Sequence, residues 1–508
     1  MEGSFIQSGS AKNQTQAKQR SRAVGLLEGA IFHGLIAAIV FTAIPYGTVD
    51  PWSQAVFECA VFLLGLLWVV HGLLEGSWRV GNLRLVIPIV TLVGLAILQS
   101  FAWLQTDQAG TKVLWSLSAD PFESRVFALR AAALILACVL FIRFTISKQR
   151  LSFIVHAIIT LAIACALFGI ARQALQHGEG FLLGRLKQGS GYAQFINKDH
   201  FSYLMEMAFG LTVGVAFMRS GRPERIPLYL SGLVVIWAAL VLSLSRGGLL
   251  AMSIQMIFAG FLFLNSRNPR RRVGAYSVAD PIASTTPSWL PAWGPRSARG
   301  SDSRERVTAN EDHRLTWFRS TIAKAIMIGV LLITMVAGVA WLGGDQLATG
   351  VETASIEMAR TDTSELHEAA RRRDIWRASW RMFVRHPIVG AGLGGYWAEM
   401  PSFHEGSGVL TPQQAHNDYL EVLASGGLIG AAILIWFAIV LVKQTRRSIR
   451  ASEGFQRAVS LGAIVGVAGI AVHSVVDFGL HVTVNALVLM ALLAILSLEP
   501  LEELRIEN

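Results

Sequence analysis

Polar and hydrophobic positions in this chain alternate on the scale of whole helices, not of single residues. Apolar runs of about 18 residues or longer recur along most of the length, and that is the length needed to cross a bilayer. The runs predict about twelve membrane helices, centred near Ile36, Leu64, Val90, Leu136, Leu161, Phe209, Ile236, Ile257, Leu331, Leu434, Val467 and Leu489. The expected fold class is an all-α polytopic membrane protein. It divides into a cytoplasmic N-terminal tail (1–23), helices one to eight (24–265) and a cytoplasmic loop (266–320). A ninth helix (321–343), an outer loop (344–414), three last helices (415–499) and a short cytoplasmic tail (500–508) follow. The loop 266–320 is rich in Arg, Ser and Pro and reads as partly disordered. The outer loop carries a helix-like stretch, a glycine-rich turn and several aromatics.

Composition agrees with that division. The chain is 53% hydrophobic and 15% charged, where a soluble protein carries about a quarter charged residues, which excludes a soluble enzyme on a single anchor. Met1 to Arg22 is polar and basic without an apolar core, so it is not a cleavable signal peptide and the first helix is expected to insert and stay. The net charge is +10, and its distribution sets orientation. Lys12, Lys18, Arg20 and Arg22, then Lys148 and Arg150, then Arg219, Arg222 and Arg225, then Lys443, Arg446, Arg447 and Arg450 fall on one side if the helix count is even. That puts both termini in the cytoplasm. No basic stretch is interleaved with aromatics in a nucleic-acid-binding pattern, so no nucleic-acid partner is expected. Cys59, Cys138 and Cys165 lie in apolar runs and read as buried hydrophobes. Walker A, GxSxG, CxxC and HExxH patterns are absent from the sequence, and no cofactor is predicted.

The outer loop breaks the charge rule with Arg371, Arg372, Arg373, Arg377, Arg381 and Arg385. Four of these, from Arg373 to Arg385, recur every four positions and form one helical stripe beside Trp376, Trp380 and Phe383. Such a helix can lie on anionic headgroups. Alternatively it can dock a phosphate-bearing ligand, since guanidinium groups bind phosphate bidentately. The excess of arginine on the outer side favours the ligand. Pro387 ends the helix, and Gly390 to Tyr396 permits a tight backbone path. Arg246, within Ser243 to Gly248, interrupts a nearly continuous apolar run. It reads either as a snorkelling loop residue or as a second phosphate ligand.

A polar segment, Gln414 to Glu421, runs into a hydrophobic helix and is followed by Gly426-Gly427-Leu428-Ile429-Gly430. A structural reading makes Asp418 the cap and Glu421 the partner in a capping box. That reading leaves His416 and Asn417 unexplained, and a histidine there can move a proton near neutral pH. His473, Asp477 and His481 recur at four-residue spacing near the outer end of a helix. A polar network is favoured over a metal site. Lys198 and His200, in Asn197 to Phe201, follow Arg185 and Lys187 at another helix start; they anchor the interface or wall an anionic-ligand site. Trp52, Trp103 and Trp115 read as an interfacial belt.

Five of these stretches resemble the O-antigen ligase and Wzy-type polymerase superfamily of bacterial envelope enzymes. They are Asn197 to Phe201, Leu244 to Gly247, Arg373 to Gly395, His416 to Gly430, and His473 to Asn485, in the family order. The His-Asn-x-Tyr-Leu-Glu segment is the most specific, and the N-terminal third matches only in hydropathy. Lys198-Asp199 departs from a basic residue followed by asparagine. The resemblance implies a glycosyltransferase of the bacterial inner membrane, GT-C-like in fold, with its active face periplasmic. Its donor would be a glycan on undecaprenyl diphosphate; its acceptor, a lipid-linked glycan, lipid A core or a protein hydroxyl. His416 would be the catalytic base. Arg246, Arg373 and Arg377 would hold the diphosphate, with Asn417, Glu421, His473, Asp477, His200 and Lys198 in support and no metal. O-antigen or exopolysaccharide synthesis is the process implied, with a polymerase favoured among the acceptor classes. A transporter or flippase without chemistry is the rival reading. The lack of an internal inverted repeat and the placing of polar residues at the outer mouth weigh against it.

Overall fold

The computed structural model describes residues 3–78, 80–106, 112–175, 183, 186, 191–217, 225–265, 364–404 and 412–501. Residues 1–259 with 354–508 form one compact unit, and 260–353 another, of which only the last turns of one helix are described. The predicted loop 266–320 and ninth helix 321–343 lie outside the described residues. Every other predicted helix centre falls inside a described helix.

In chain order these are α1 (Gly3–Ala43), α2 (Pro51–Glu75), α3 (Val86–Ser100), α4 (Pro121–Phe144), α5 (Lys148–Leu175), α6 (Lys198–Phe217), α7 (Ile226–Leu242) and α8 (Arg246–Asn265). The outer segment adds α9 (Ser364–Arg385) and the single turn α10 (Tyr396–Glu399); α11 (Asp418–Ala451), α12 (Gly454–His473) and α13 (Thr483–Ser497) complete the bundle. Among the described residues six helices are long and apolar enough to cross a membrane, and four shorter ones are also apolar. The chain is a polytopic membrane protein. One element departs from the all-α expectation: β1 (Ala102–Thr106) pairs antiparallel with β2 (Lys112–Ser116), with Trp103 opposite Trp115. Each arm is five residues, too short for a membrane helix, and carries strand-favouring residues such as Trp103 and Thr106, and Val113 and Trp115.

Two contacts position the outer mouth. The first is a glycine seam. A Cβ on Gly210 of α6 would collide with the backbone nitrogen of Gly466 on α12, and one on Gly214 would lie 2.5 Å from the Ala458 carbonyl. Small residues let membrane helices approach backbone to backbone. Every residue of α6 from His200 to Ala216 is buried as a result. Gln255 of α8 ties a third helix to this pair by donating to the carbonyls of Glu206 (2.7 Å) and Val465 (3.0 Å).

The second contact is a strap. Pro387 ends α9, and residues 387–393 then run into a break in α11. Gly427 has φ 62° and ψ −158°, a conformation that interrupts the helix there. The freed N–H groups of Leu428 and Ile429 donate to the carbonyls of Pro387 (2.8 Å) and Ile388 (3.2 Å). Ala391 and Gly392 donate in return to Ala424 (3.0 Å) and Ser425 (2.9 Å). Gln99 of α3 closes the joint, with its amide nitrogen donating to the Val389 and Ser425 carbonyls and its oxygen accepting from the Leu393 N–H. A Cβ at Gly427 would strike the Ile388 carbonyl, and its backbone region is open almost only to glycine. Gly427→Ala should therefore destabilise the protein by about 1–3 kcal/mol. Limited proteolysis should then cut near residues 386–395 faster than in the parent; an unchanged cleavage rate would mean the strap is held by other contacts.

Candidate active site at the outer mouth

Most of the sequence-predicted residues, though not Arg373 and Arg377, lie where α6, α8 and α11 begin and α12 ends. Asn417 is the cap of α11: its Oδ1 accepts the Leu420 N–H at 3.0 Å. The cap is thus one residue earlier than the predicted Asp418. Glu421 does reach back, but to the Ala415 N–H (2.9 Å) and not to the cap residue. Its other oxygen takes a bond from His481 Nε2 at 3.0 Å. With these groups satisfied, the chain turns sharply at His416, which has φ 49°, a left-handed backbone uncommon for a side-chain-bearing residue.

That turn sets the His416 ring on a carboxylate. Its Nδ1 lies 3.2 Å from Asp477 Oδ1, with the His416 side chain 30% exposed and Asp477 1% exposed. His200 Nε2 sits 4.0 Å from the other Asp477 oxygen. The rings of His416 and His200 both meet the Phe478 ring edge-on, at 4.7 and 4.9 Å. Burial alone would push the Asp477 carboxyl upward. The His416 hydrogen bond and the facing His200 and His473 outweigh it, and hold Asp477 below the ordinary carboxylate value. Asp477 therefore stays charged through the neutral range.

His473, Asp477 and His481 do not share a helix face, because α12 ends at His473 and a turn with a 3-10 segment (Gly479–His481) follows. Each goes to a different partner. His473 Nδ1 bonds Glu206 Oε1 at 2.7 Å with both side chains fully buried, and its ring stacks on Tyr203 at 4.3 Å. Among the described residues no group of three or more His, Cys, Asp or Glu is placed to hold a metal. Glu206 was not singled out in the sequence. Its signal was there, a lone carboxylate in the apolar run Tyr203 to Phe209, where an ionisable residue calls for a partner.

Arg246 is the first residue of α8 and is exposed. The turn before it is fixed by Ser245, whose hydroxyl donates to Asp199 Oδ1 (2.5 Å) and accepts the Gly248 N–H (3.0 Å). A Cβ on Gly247 would lie 2.6 Å from His473 Nε2, so Arg246 adjoins the buried histidine pair. Lys198 is exposed and lines an outer cavity of about 310 Å³ with Arg172, Tyr192 and Ser243.

The arginine stripe turns out differently from the expectation. Arg372, not Arg373, points to the site, with its guanidinium 3.4 Å from the Val476 carbonyl. Trp376 lies on the same side and donates to the Ala415 carbonyl at 3.0 Å. At about 100° per residue, Arg373 and Arg377 lie about 100° and 140° around α9 from Arg372. Both are exposed, and Arg377 pairs with Asp374 at 3.4 Å. The structure brings together His416, Asp477, His200, Glu421, Arg372 and the start of α8, and leaves Arg373 and Arg377 on the outer surface.

Two outcomes follow from these pairs. Removing one partner of a buried pair leaves the other uncompensated, so Glu206→Ala should destabilise the protein by about 3–5 kcal/mol. A melting curve within about 1 kcal/mol of the parent would contradict the pairing. The second concerns His481. Burial lowers its pKa, but the Glu421 carboxylate and the Asp418 charge more than offset this and raise it to about 9. The pair's stabilisation is complete below the free histidine value of about 6.5 and is lost as pH rises through about 9. The melting temperature should fall over that interval, and Glu421→Gln should flatten the fall; equal slopes would reject the linkage.

Residues 231–435 match the family model described as O-antigen ligase. The match covers Arg246, α9, the strap and the His416 turn, and it ends before Asp477. The resemblance carried by the motifs therefore holds over that stretch. No curated protein matches the chain.

Proposed function

We propose that the protein is a bacterial inner-membrane glycosyltransferase that moves a glycan from undecaprenyl diphosphate to an acceptor hydroxyl on the periplasmic side. It polymerises or ligates O-antigen or exopolysaccharide. The observation that carries this reading is the His416–Asp477 pair at an outer mouth flanked by Arg246 and Arg372. Asp477 faces Nδ1, so the ring keeps its proton there and Nε2 is left as the basic nitrogen.

In the reaction, Nε2 of His416 takes the acceptor hydroxyl proton as that oxygen attacks the anomeric carbon. The bond from that carbon to the diphosphate oxygen breaks, and the electron pair leaves on the diphosphate. A single displacement inverts the anomeric centre. Negative charge grows on the leaving group, and fixed guanidinium groups stabilise charge that appears in the transition state. This role falls to Arg246 and Arg372 in the proposed reaction, both being permanently cationic. Asp477 holds the ring and stabilises the imidazolium. His200 supports the same carboxylate from the other side, and Lys198 extends the basic wall.

Purified protein reconstituted with a lipid-linked oligosaccharide donor and candidate acceptors provides the test. His416→Ala should lower transfer by about 10²–10⁴-fold while the donor still binds. Full activity in that variant would remove the base assignment. Arg246→Ala should weaken donor binding, and unchanged affinity would count against the diphosphate clamp. Transfer should persist in the presence of a strong chelator; its abolition would require a metal step.

A further inference from the structure

The exposed face of α9 has no role in the site. On its inner face Ile375, Ala378 and Met382 are buried in a cluster with Ala391, Tyr396, Met400, Ala415 and Ala424. On the outer face Arg373, Arg377, Arg381 and Arg385 are exposed. Interleaved with the arginines on that side, Trp380 is 53% exposed, Val384 60% and, just past the helix, Ile388 65%. Arginine interleaved with exposed tryptophan and aliphatic side chains is the composition of a helix lying in a bilayer interface.

The strap fixes the depth of this face. Ile388 bonds Ile429, and Pro387 bonds Leu428, about ten residues or roughly 15 Å along α11 from its start. Leu428 and Ile429 open the apolar run of α11, and both side chains are exposed, as are Ile435 and Trp436 further along. The end of α9 therefore lies level with the point where the exposed apolar side chains of α11 begin. The arginines then fall at the level of the headgroup phosphates. Among the described residues of this face, Asp374 is exposed and pairs with Arg377.

We propose that the outer face of α9 docks on anionic lipid headgroups of the outer leaflet, with Trp380, Val384 and Ile388 inserted and the arginine row on the phosphates. The partner is bulk anionic lipid, and the contact is independent of the transfer reaction. It anchors the outer segment that carries Arg372 and Trp376.

A nitroxide label measures this directly. Val384→Cys is labelled in full-length protein whose Cys59, Cys138 and Cys165 are replaced by alanine, then reconstituted in phosphatidylcholine vesicles with and without phosphatidylglycerol. Gln413→Cys, an exposed position in the neighbouring loop, is the water-facing reference. Val384 is exposed, so its label disturbs no packed contact. With phosphatidylglycerol present, the Val384 label should be several-fold more accessible to oxygen than to a water-soluble nickel reagent, and the Gln413 label the reverse. Omitting phosphatidylglycerol, or introducing Arg381→Gln with Arg385→Gln, should shift the Val384 label several-fold toward nickel. A Val384 label as open to nickel as the Gln413 label in phosphatidylglycerol would overturn the proposal. So would a label that is buried in lipid but indifferent to both phosphatidylglycerol and the arginines. Protection from nickel only on adding a soluble acidic polysaccharide would assign the face to a glycan instead and equally overturn it.

Discussion

The hydrogen bonds exchanged between residues 387–393 and the interrupted turn of α11 decide where everything at the outer mouth sits. A helix broken inside a membrane protein leaves backbone donors and acceptors without their intrahelical partners, and these must be met by protein. Here the strap meets them with its own backbone, and Gln99 of α3 seals the joint. The exchange locks α9 to α11 at two consecutive residues. That in turn fixes the side of α9 that presents Arg372 and Trp376 to the loop carrying Asp477 and to the turn carrying His416. Without the break, the outer segment would lose its backbone ties to α11 and keep the one from the Ala119 N–H to the Ala391 carbonyl.

Within that frame the polar groups are arranged as pairs. His416 has Asp477, His473 has Glu206, and His481 has Glu421. Burying an isolated charge is costly, and pairing is the means by which a membrane protein keeps ionisable groups at all. The pairs differ in exposure, and exposure separates their roles. His473–Glu206 is sealed and holds helices together. His416–Asp477 has one partner buried and the other open to the outer surface, which is the arrangement a proton-transfer group requires.

The positions of the helices among the described residues were legible because run length is a strong signal for membrane helices. The hairpin at 102–116 was not, since its arms are shorter than the window that run length uses. Errors of a single residue mattered most at the site. Asn417 and Asp418 are both good caps, and only the backbone geometry chooses between them. Arg372 and Arg373 are neighbours in sequence but about 100° apart on the helix, so the four-residue stripe lies on a different side of α9 from Arg372. The His416–Asp477 pairing joins residues 61 positions apart, and nothing local in the chain announces it.

The glycine seam between α6 and α12 has a consequence for traffic. Backbone touches backbone along Gly210, Gly214, Gly462 and Gly466. No acyl or prenyl chain fits through such a joint, and it cannot open without separating two helices that also share the Glu206–His473 bond. This flank of the mouth is a wall. Under the proposed function, a lipid-borne substrate would have to slide in sideways along some other flank, so the seam gives the protein a closed back and confines any such doorway to the remaining perimeter.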